Sequence, residues 1–262
     1  TDQVLDGVHL SLTRHGPAAA GRKAAARNLS DIAAMAGRPL AMVATVAAPA
    51  DLAQADAQAI YEGLRAAADE FACPLVGGDV AAWVCEGDHL VVSVTAFGLA
   101  GGVEPVLRSG AKVGDAVCVT GRLGGAWRGR RHLSFTPRIA EARALAEHGP
   151  LTSMIDVSDG LARDLAHVCE ASGVAAELEA DAIPLSHEAA AEEDPLAAAL
   201  HDGEDYELLF TLPAETAEGL AAHAPFAAGV TRIGTIAAGS GLTLLRGGRR
   251  EALEPRGWEH GT

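Results

Sequence analysis

The residues of this chain best suited to chemistry are carboxylates in short polar turns. Asp2 and Asp6 lie near the start, with Gly7-Val8-His9 directly after. Asn28 and Asp31 stand three apart in Asn28-Leu29-Ser30-Asp31, a spacing that puts both on one face of an Ala-rich helix. Asp79 closes Gly77-Gly78-Asp79, Asp156 and Asp159 bracket Asp156-Val157-Ser158-Asp159-Gly160, and Glu204 and Asp205 follow Gly203. Each has an ordinary reading: Asp after Gly-Gly is a common turn residue, and Ser158 or Asp159 before a helix is a common N-cap. As a set they say more. Acids at the mouths of several strands repel one another and raise their pKa values unless a cation sits among them. Oxygen ligands drawn from separate segments suit Mg²⁺ better than zinc.

The usual nucleotide and hydrolase signatures are missing. The chain has no G-x-x-x-x-G-K-[ST], no G-x-G-x-x-G after a strand, no H-R-D or D-F-G, no H-E-x-x-H and no G-x-S-x-G. A P-loop, a Rossmann site, a protein-kinase site, a zincin and an α/β-hydrolase are therefore disfavoured.

The elements that position these turns alternate. Leu40–Val46 reads as a strand, and Asp51 can cap the helix that follows. Ile60, Leu64, Ala67 and Phe71 make one buried face of that helix. Leu75-Val76 is a short strand running into Gly77-Gly78-Asp79; Leu90–Phe97, Ala116–Thr120, Met154–Val157 and Tyr206–Leu212 are further strands. A helix over Leu161–Ala171 stops at Gly173. Glu188–Ala199 reads as helix or surface loop, with a solvated acidic run at Glu192-Glu193-Asp194. The pattern predicts an α+β protein of two mixed α/β domains, 1–109 and 110–262.

Composition narrows the classes. The chain has 262 residues, 49% of them hydrophobic and 21% charged, enough apolar side chain for a sizeable core. Its formal charge of −15 argues against binding a nucleic-acid backbone or an anionic membrane surface. No apolar run approaches the ~18 residues of a membrane span. Cys73, Cys85, Cys118 and Cys169 form no C-x-x-C pair and read as reduced, buried thiols of a cytoplasmic protein. The chain opens on Thr1-Asp2 without an initiator Met, as a portion of something longer does.

At this point the motifs resemble a known family. Thr1-Asp2 with Asp6–His9, Asn28–Met35, Gly77–Asp79, Arg108–Asp115, Val119–Gly124, Pro137-Arg138, Ile155–Leu161, Gly203–Leu208 and Gly257-Trp258 follow one another as in thiamine-monophosphate kinases. That family lies in the superfamily of aminoimidazole-ribonucleotide synthetase and selenophosphate synthetase. The matches span nearly the whole chain. The resemblance implies transfer of the γ-phosphoryl of ATP to thiamine monophosphate, with several Mg²⁺ ions per site. The acceptor phosphate is already largely ionised near neutral pH, so no catalytic base is expected. It further implies a homodimer whose N-terminal sheets join into a β-barrel, with the nucleotide in the cleft between the domains.

Carried over motif by motif, Asp2, Asp31, Asp79, Asp156 and Asp159 resemble the Mg²⁺ ligands, with Thr1 beside them. Gly78, Asp79, Arg108 and Ser158 resemble the ATP contacts, and His9, Glu204 and Trp258 those of thiamine monophosphate. Trp258 could stack on the positively charged ring, and Glu204 could offset its charge. Structural readings stand beside these: His9 as a strand histidine, Arg108 as a surface ion-pair partner, Trp258 as a pin for the tail. Trp83 and Trp127 read as packing residues. The alternatives to the kinase are another ATP-dependent synthetase of the superfamily and a non-catalytic nucleotide- or metal-binding dimer. The chain departs from the family pattern twice. It starts after the Gly-Asp-Asp segment that helps hold Mg²⁺, and the stretch between Gly124 and Pro137 is short, crowding Arg128, Arg130 and Arg131.

Overall fold

The structure is a computed structural model that describes residues 1–84, 89–222 and 226–258. Among them the fold is mixed α/β, with two sheets and seven α-helices. The chain divides into two compact units. The first comprises Thr1–Ile32, Gly37–Gly101 and Leu133–Pro137; the second comprises Ala33–Ala36, Gly102–His132 and Arg138–Thr262.

In the first unit, β1 (Asp2–Leu5), α1 (Leu12–His15), α2 (Pro17–Ala34), β2 (Arg38–Ala48), α3 (Gln54–Glu70), β3 (Leu75–Ala82) and β4 (Val91–Leu99) follow in order. The strands form one sheet in the order β1-β4-β2-β3, open at both edges rather than closed as a barrel within one chain. β2 and β3 run parallel, joined across α3; β4 is antiparallel to both of its neighbours, β1 and β2. Val4, Met42, Ala44, Val92 and Val94 are buried along one face, as period-two alternation requires. Ile60, Leu64 and Ala67 are buried on α3, the face that the sequence pattern marks.

Several expectations shift in this unit. Asp51 does not cap α3, which starts at Gln54 behind Ala53 with no side-chain cap. The strand at Leu75 does not stop before the glycines but runs through Gly77-Gly78-Asp79 to Ala82. Gly78 is what the pairing demands, since a Cβ there would lie 1.9 Å from the Ala44 carbonyl oxygen. Asn28 and Asp31 both lie on α2, but they do not share an environment. Asn28 is buried, its amide donating to the Ala24 carbonyl, and Asp31 is exposed.

In the second unit the elements are β5 (Asp115–Thr120), α4 (Ile139–His148), β6 (Ser153–Asp156), α5 (Leu161–Ser172), β7 (Ala175–Glu179), α6 (Pro195–His201), β8 (Leu208–Pro213), α7 (Ala214–Ala222), β9 (Val230–Ala237), β10 (Gly241–Arg246) and β11 (Arg249–Leu253). The seven-stranded sheet has the order β11-β10-β7-β9-β5-β8-β6. β5 is central and buried throughout, which explains its unbroken apolar run. Val117 and Val119 join a core with Leu161, Leu165 and Val168 of α5; Ala116 and Cys118 join another with Leu145 of α4 and Ala217 of α7. The sheet is thus covered on both faces. Cys73, Cys118 and Cys169 are free, buried thiols, and Cys85 lies outside the described residues.

Two glycines let α2 and α3 approach each other. A Cβ on Gly21 would lie 2.0 Å from the Ile60 carbonyl oxygen, and one on Gly63 would lie 2.0 Å from that of Ala18. Gly63→Ala should therefore lower stability by about 2 kcal/mol through forced separation of the helices. Gly219→Ala on α7, where nothing lies within 4 Å of the added carbon, should raise it by up to ~1 kcal/mol. Urea denaturation of the two variants checks the contrast.

Candidate functional site

β6 ends at Asp156, and the chain turns through Val157-Ser158-Asp159-Gly160 into α5. The carbonyl groups of this turn accept from distant segments. Val157 accepts the Tyr206 N–H at 2.8 Å, Ser158 that of Glu204 at 2.8 Å, and Asp159 that of Trp258 at 2.9 Å. Its N–H groups face the other way. The N–H of Val157 donates to the Glu207 carbonyl, while those of Ser158, Asp159 and Gly160 converge on one carboxylate oxygen of Asp164 at 3.0, 3.0 and 3.2 Å. Neither Ser158 nor Asp159 is the N-cap; Gly160 holds that place without a side-chain cap bond, and Asp164 serves the turn from inside the helix.

The meeting segments fit only as glycine-bearing backbone. A Cβ on Gly203 would lie 2.7 Å from the Ser158 carbonyl oxygen, and one on Gly257 would lie 2.2 Å from that of Asp159. Gly203, Glu204 and Tyr206 all have positive φ, at 71°, 56° and 52°. Left-handed conformations cost a side-chain-bearing residue about 1 kcal/mol, so this loop stores strain where the three segments join.

The side chains around the loop are held in pairs. Glu204 accepts from His132 Nδ1 at 2.9 Å, and Trp127 stacks on the His132 ring at 4.4 Å between centroids. Trp127 is not the packing residue expected: it is about half exposed, against a fully buried His132. Asp205 is buried, accepting from Arg131 at 2.8 Å and from the Gly124 N–H at 2.8 Å. Burial pushes its carboxyl up to about 7, with Arg131 and the Gly124 amide pulling it down. Arg138 clamps Glu207 through two bonds of 2.8 and 2.6 Å, and Thr120 donates to the same carboxylate at 2.7 Å.

Asp156, Ser158, Asp159, Glu204 and Trp258, each singled out in the sequence, therefore meet within the second unit. Arg108, in the same unit, is exposed, and no carboxylate among the described residues pairs with it. In the first unit the candidates are dispersed. Asp2 on β1 accepts from Arg27 at 2.8 Å and from the Gln3 N–H at 2.6 Å. Asp79 is exposed on β3, at the other edge of the sheet. Registers place Asp2 in the row Val94, Ala44, Gly78, and Asp79 one residue on, in the row of Thr45, so the two carboxylates leave opposite faces. Thr1 donates to the Val94 carbonyl and accepts from Thr95, and Asp31 is exposed. His9 is buried: its Nδ1 accepts the Leu5 N–H at 3.0 Å, and its carbonyl accepts the buried Lys23 ammonium at 2.6 Å.

The turn at Asp156–Gly160 fits a hard cation. Asp159, Asp164 and His167 bring one ligand atom each within 4.8 Å of one another, and Asp156 is buried. Burial, then the carboxylates of Asp156 and Asp159, push the Asp164 carboxyl well above the usual range, against the pull of the Asp159 and Ser158 N–H groups. With Asp164 bound to the amides of the turn, Asp156 and Asp159 are the carboxylates left beside it for a hard cation such as Mg²⁺.

The sequence reading missed Asp164, His132 and Lys23. Asp164 and Lys23 carry the one available signal, a charged residue at the apolar spacing of a helix, which needs a partner inside. His132 carries none, because its partner Glu204 is remote in the chain.

Comparison with known proteins follows the same division. Residues 1–100 match the family described as AIR synthase related protein, N-terminal domain, and residues 112–246 match its C-terminal domain. The thiamine-monophosphate kinase of Rhodopirellula baltica is 38% identical over 267 residues, spanning 100% of this chain and 82% of that protein. The Pyrococcus abyssi enzyme of the same name is 35% identical, over 93% of this chain and 79% of its own. The structure of AaThiL complexed with AMPPCP and TMP superposes with a TM-score of 0.85 at 30% identity, covering 99% of this chain and 85% of that one.

The Arg138–Glu207 pair braces the strand that carries the strained loop. Glu207→Ala should cost about 2 kcal/mol by leaving a largely buried guanidinium with Glu141 as its remaining carboxylate. Arg138→Lys, which keeps the charge and loses the fork, should cost about 1 kcal/mol. Denaturant midpoints for both variants measure this.

Proposed function

The chain belongs to the thiamine-monophosphate kinase family and by that membership is an ATP-dependent kinase; we propose that it transfers the γ-phosphoryl of ATP to the phosphate of thiamine monophosphate. The observation that carries the reading is the junction at Val157–Asp159. There the Asp-Val-Ser-Asp-Gly, Gly-Glu-Asp-Tyr and Gly-Trp segments, remote in sequence, meet through consecutive backbone hydrogen bonds.

Each residue then has a task. Asp156 and Asp159 hold Mg²⁺ at the turn of the second unit; in the first unit Asp2, Asp31 and Asp79, with Thr1, serve as ligands of further ions, Asp2 and Asp79 of different ones because they leave opposite faces of the sheet. For Asp2 this means exchanging its ion pair with Arg27. Bound Mg²⁺ supplies charge neutralisation, offsetting the repulsion between two anionic phosphate groups. Gly78, Asp79, Arg108 and Ser158 contact the nucleotide; the exposed Arg108 fork suits phosphate oxygens. Glu204 faces the thiamine cation with its carboxylate fixed by His132, Trp258 stacks on the ring, and His9 completes the acceptor contacts. No side chain removes a proton, because the acceptor oxygen is already ionised; the residues orient the phosphates for in-line attack. The active form is a homodimer in which the open sheet of the first unit, with exposed Leu40, Phe97 and Leu99, pairs with its counterpart into a barrel.

A coupled assay for ADP with direct detection of thiamine diphosphate tests this. Activity should require thiamine monophosphate and vanish with EDTA. Asp79→Asn and Asp159→Asn should lower kcat about 100-fold or more with folding intact. Trp258→Ala should raise KM for thiamine monophosphate about 10-fold while leaving that for ATP near wild type. ADP formed with another phosphate or carboxylate acceptor but not with this one points to a sister synthetase. Tight nucleotide binding without turnover points to a binding module.

A further inference from the structure

The start of a helix is ordinarily an anion site, because its first N–H groups lack partners and the helix dipole favours negative charge. Ahead of α5 the amides of the turn that leads into it are taken from within the helix. Asp164, one turn into the twelve-residue helix, is 2% exposed and gives one carboxylate oxygen to the amides of Ser158, Asp159 and Gly160. The carbonyls of Val157, Ser158 and Asp159 are engaged on the other side. With the main chain so occupied, side chains are what the turn has left to offer a ligand, and Asp156 and Asp159 are the carboxylates among them. The amides of the turn are thus not free to cradle a phosphate, while its carboxylate oxygens are left for a cation.

We propose that Asp164 is a positioning residue, an internal anion that fixes the turn so that Asp156 and Asp159 are presented to Mg²⁺ rather than amides to phosphate. The inference rests on the metal reading of the turn given above. It concerns the placement of one acceptor oxygen. The side chain's overall charge is secondary, and Asp164 is not itself a ligand. Asp164→Asn keeps an oxygen at the same reach and removes the charge. Asp164→Glu keeps the charge and moves the oxygen out by a methylene, over 1 Å, beyond the shared grip of three amides.

The test is Mn²⁺ affinity of the whole chain, followed by electron paramagnetic resonance, beside the Mg²⁺ concentration for half-maximal ADP formation. Thermal midpoints confirm that both variants fold. The Asn variant should stay within threefold of wild type in both measures, and the Glu variant should lose tenfold or more, with the deficit in kcat recovered at high Mg²⁺. Two wild-type-like variants overturn the proposal, since the turn then needs nothing from position 164. An Asn variant as weak as the Glu variant, or weaker, also overturns it and makes Asp164 a direct ligand. A wild-type chain that binds Mn²⁺ yet forms no thiamine diphosphate defeats the kinase reading alone. One that binds no Mn²⁺ defeats this proposal with the metal assignment.

Discussion

Backbone satisfaction at Val157–Gly160 is the constraint from which the second unit's chemistry follows. A buried turn cannot leave amides or carbonyls unpaired without a cost of about 1–3 kcal/mol each. Here the carbonyls take the Gly-Glu-Asp-Tyr segment and the Gly-Trp tail, and the amides take Asp164 and the Glu207 carbonyl. Each bond fixes another motif, so the loop at 203–206, the tail at 257–258 and the start of α5 are set by one strip of main chain. The strained φ values at Glu204 and Tyr206 belong to the same bargain: they bring two N–H groups of one loop to adjacent carbonyls of the turn.

Electrostatics builds outward from that strip. Acids are packed more densely around it than solvent-exposed residues need to be, and those remote from the metal-type cluster are paired. Asp205 goes to Arg131, Glu207 to Arg138, Glu204 to His132 and Glu192 to Arg128. Asp159 and His167 converge beside Asp164, whose own carboxylate is bound to the amides of the turn. The arginines that crowd the short stretch after Gly124 are therefore not a repetitive basic patch. Arg128 and Arg131 reach different carboxylates, and the glycines that begin the stretch let it lie against α6 and the 3₁₀ turn at Ala189–Ala191, where any Cβ would meet backbone within 3 Å.

Much of this was legible in the residues. The central strands announced themselves as apolar runs because both faces of the large sheet are covered, and α5 showed its length and its Gly173 stop. The motif acids were visible as types in turns. What stayed hidden depends on contacts between distant segments. Period alone could not say that β3 carries the glycine pair inside a strand, because the reason is the close Ala44 carbonyl on β2. Helical spacing put Asn28 and Asp31 on one face, yet three residues subtend enough arc to leave one inside and one in solvent. Asp164 showed only that a charge sits at an apolar position of a helix; that its partners are the three amides preceding the helix the sequence did not display. The dispersal of the first-unit carboxylates is likewise a matter of strand register, which one chain's sequence does not print.

The segment carrying Gly257-Trp258 lends a hand to a turn made earlier in the second unit: the Trp258 N–H donates to the Asp159 carbonyl, and Gly257 lies flat against the same atom. Translation runs from the amino end, so the turn and α5 are made well before the segment that closes this bond. During that interval the carbonyl must borrow water. The junction is thus completed only once Trp258 has been made, and a nascent polypeptide holds its aspartates before it holds its tryptophan.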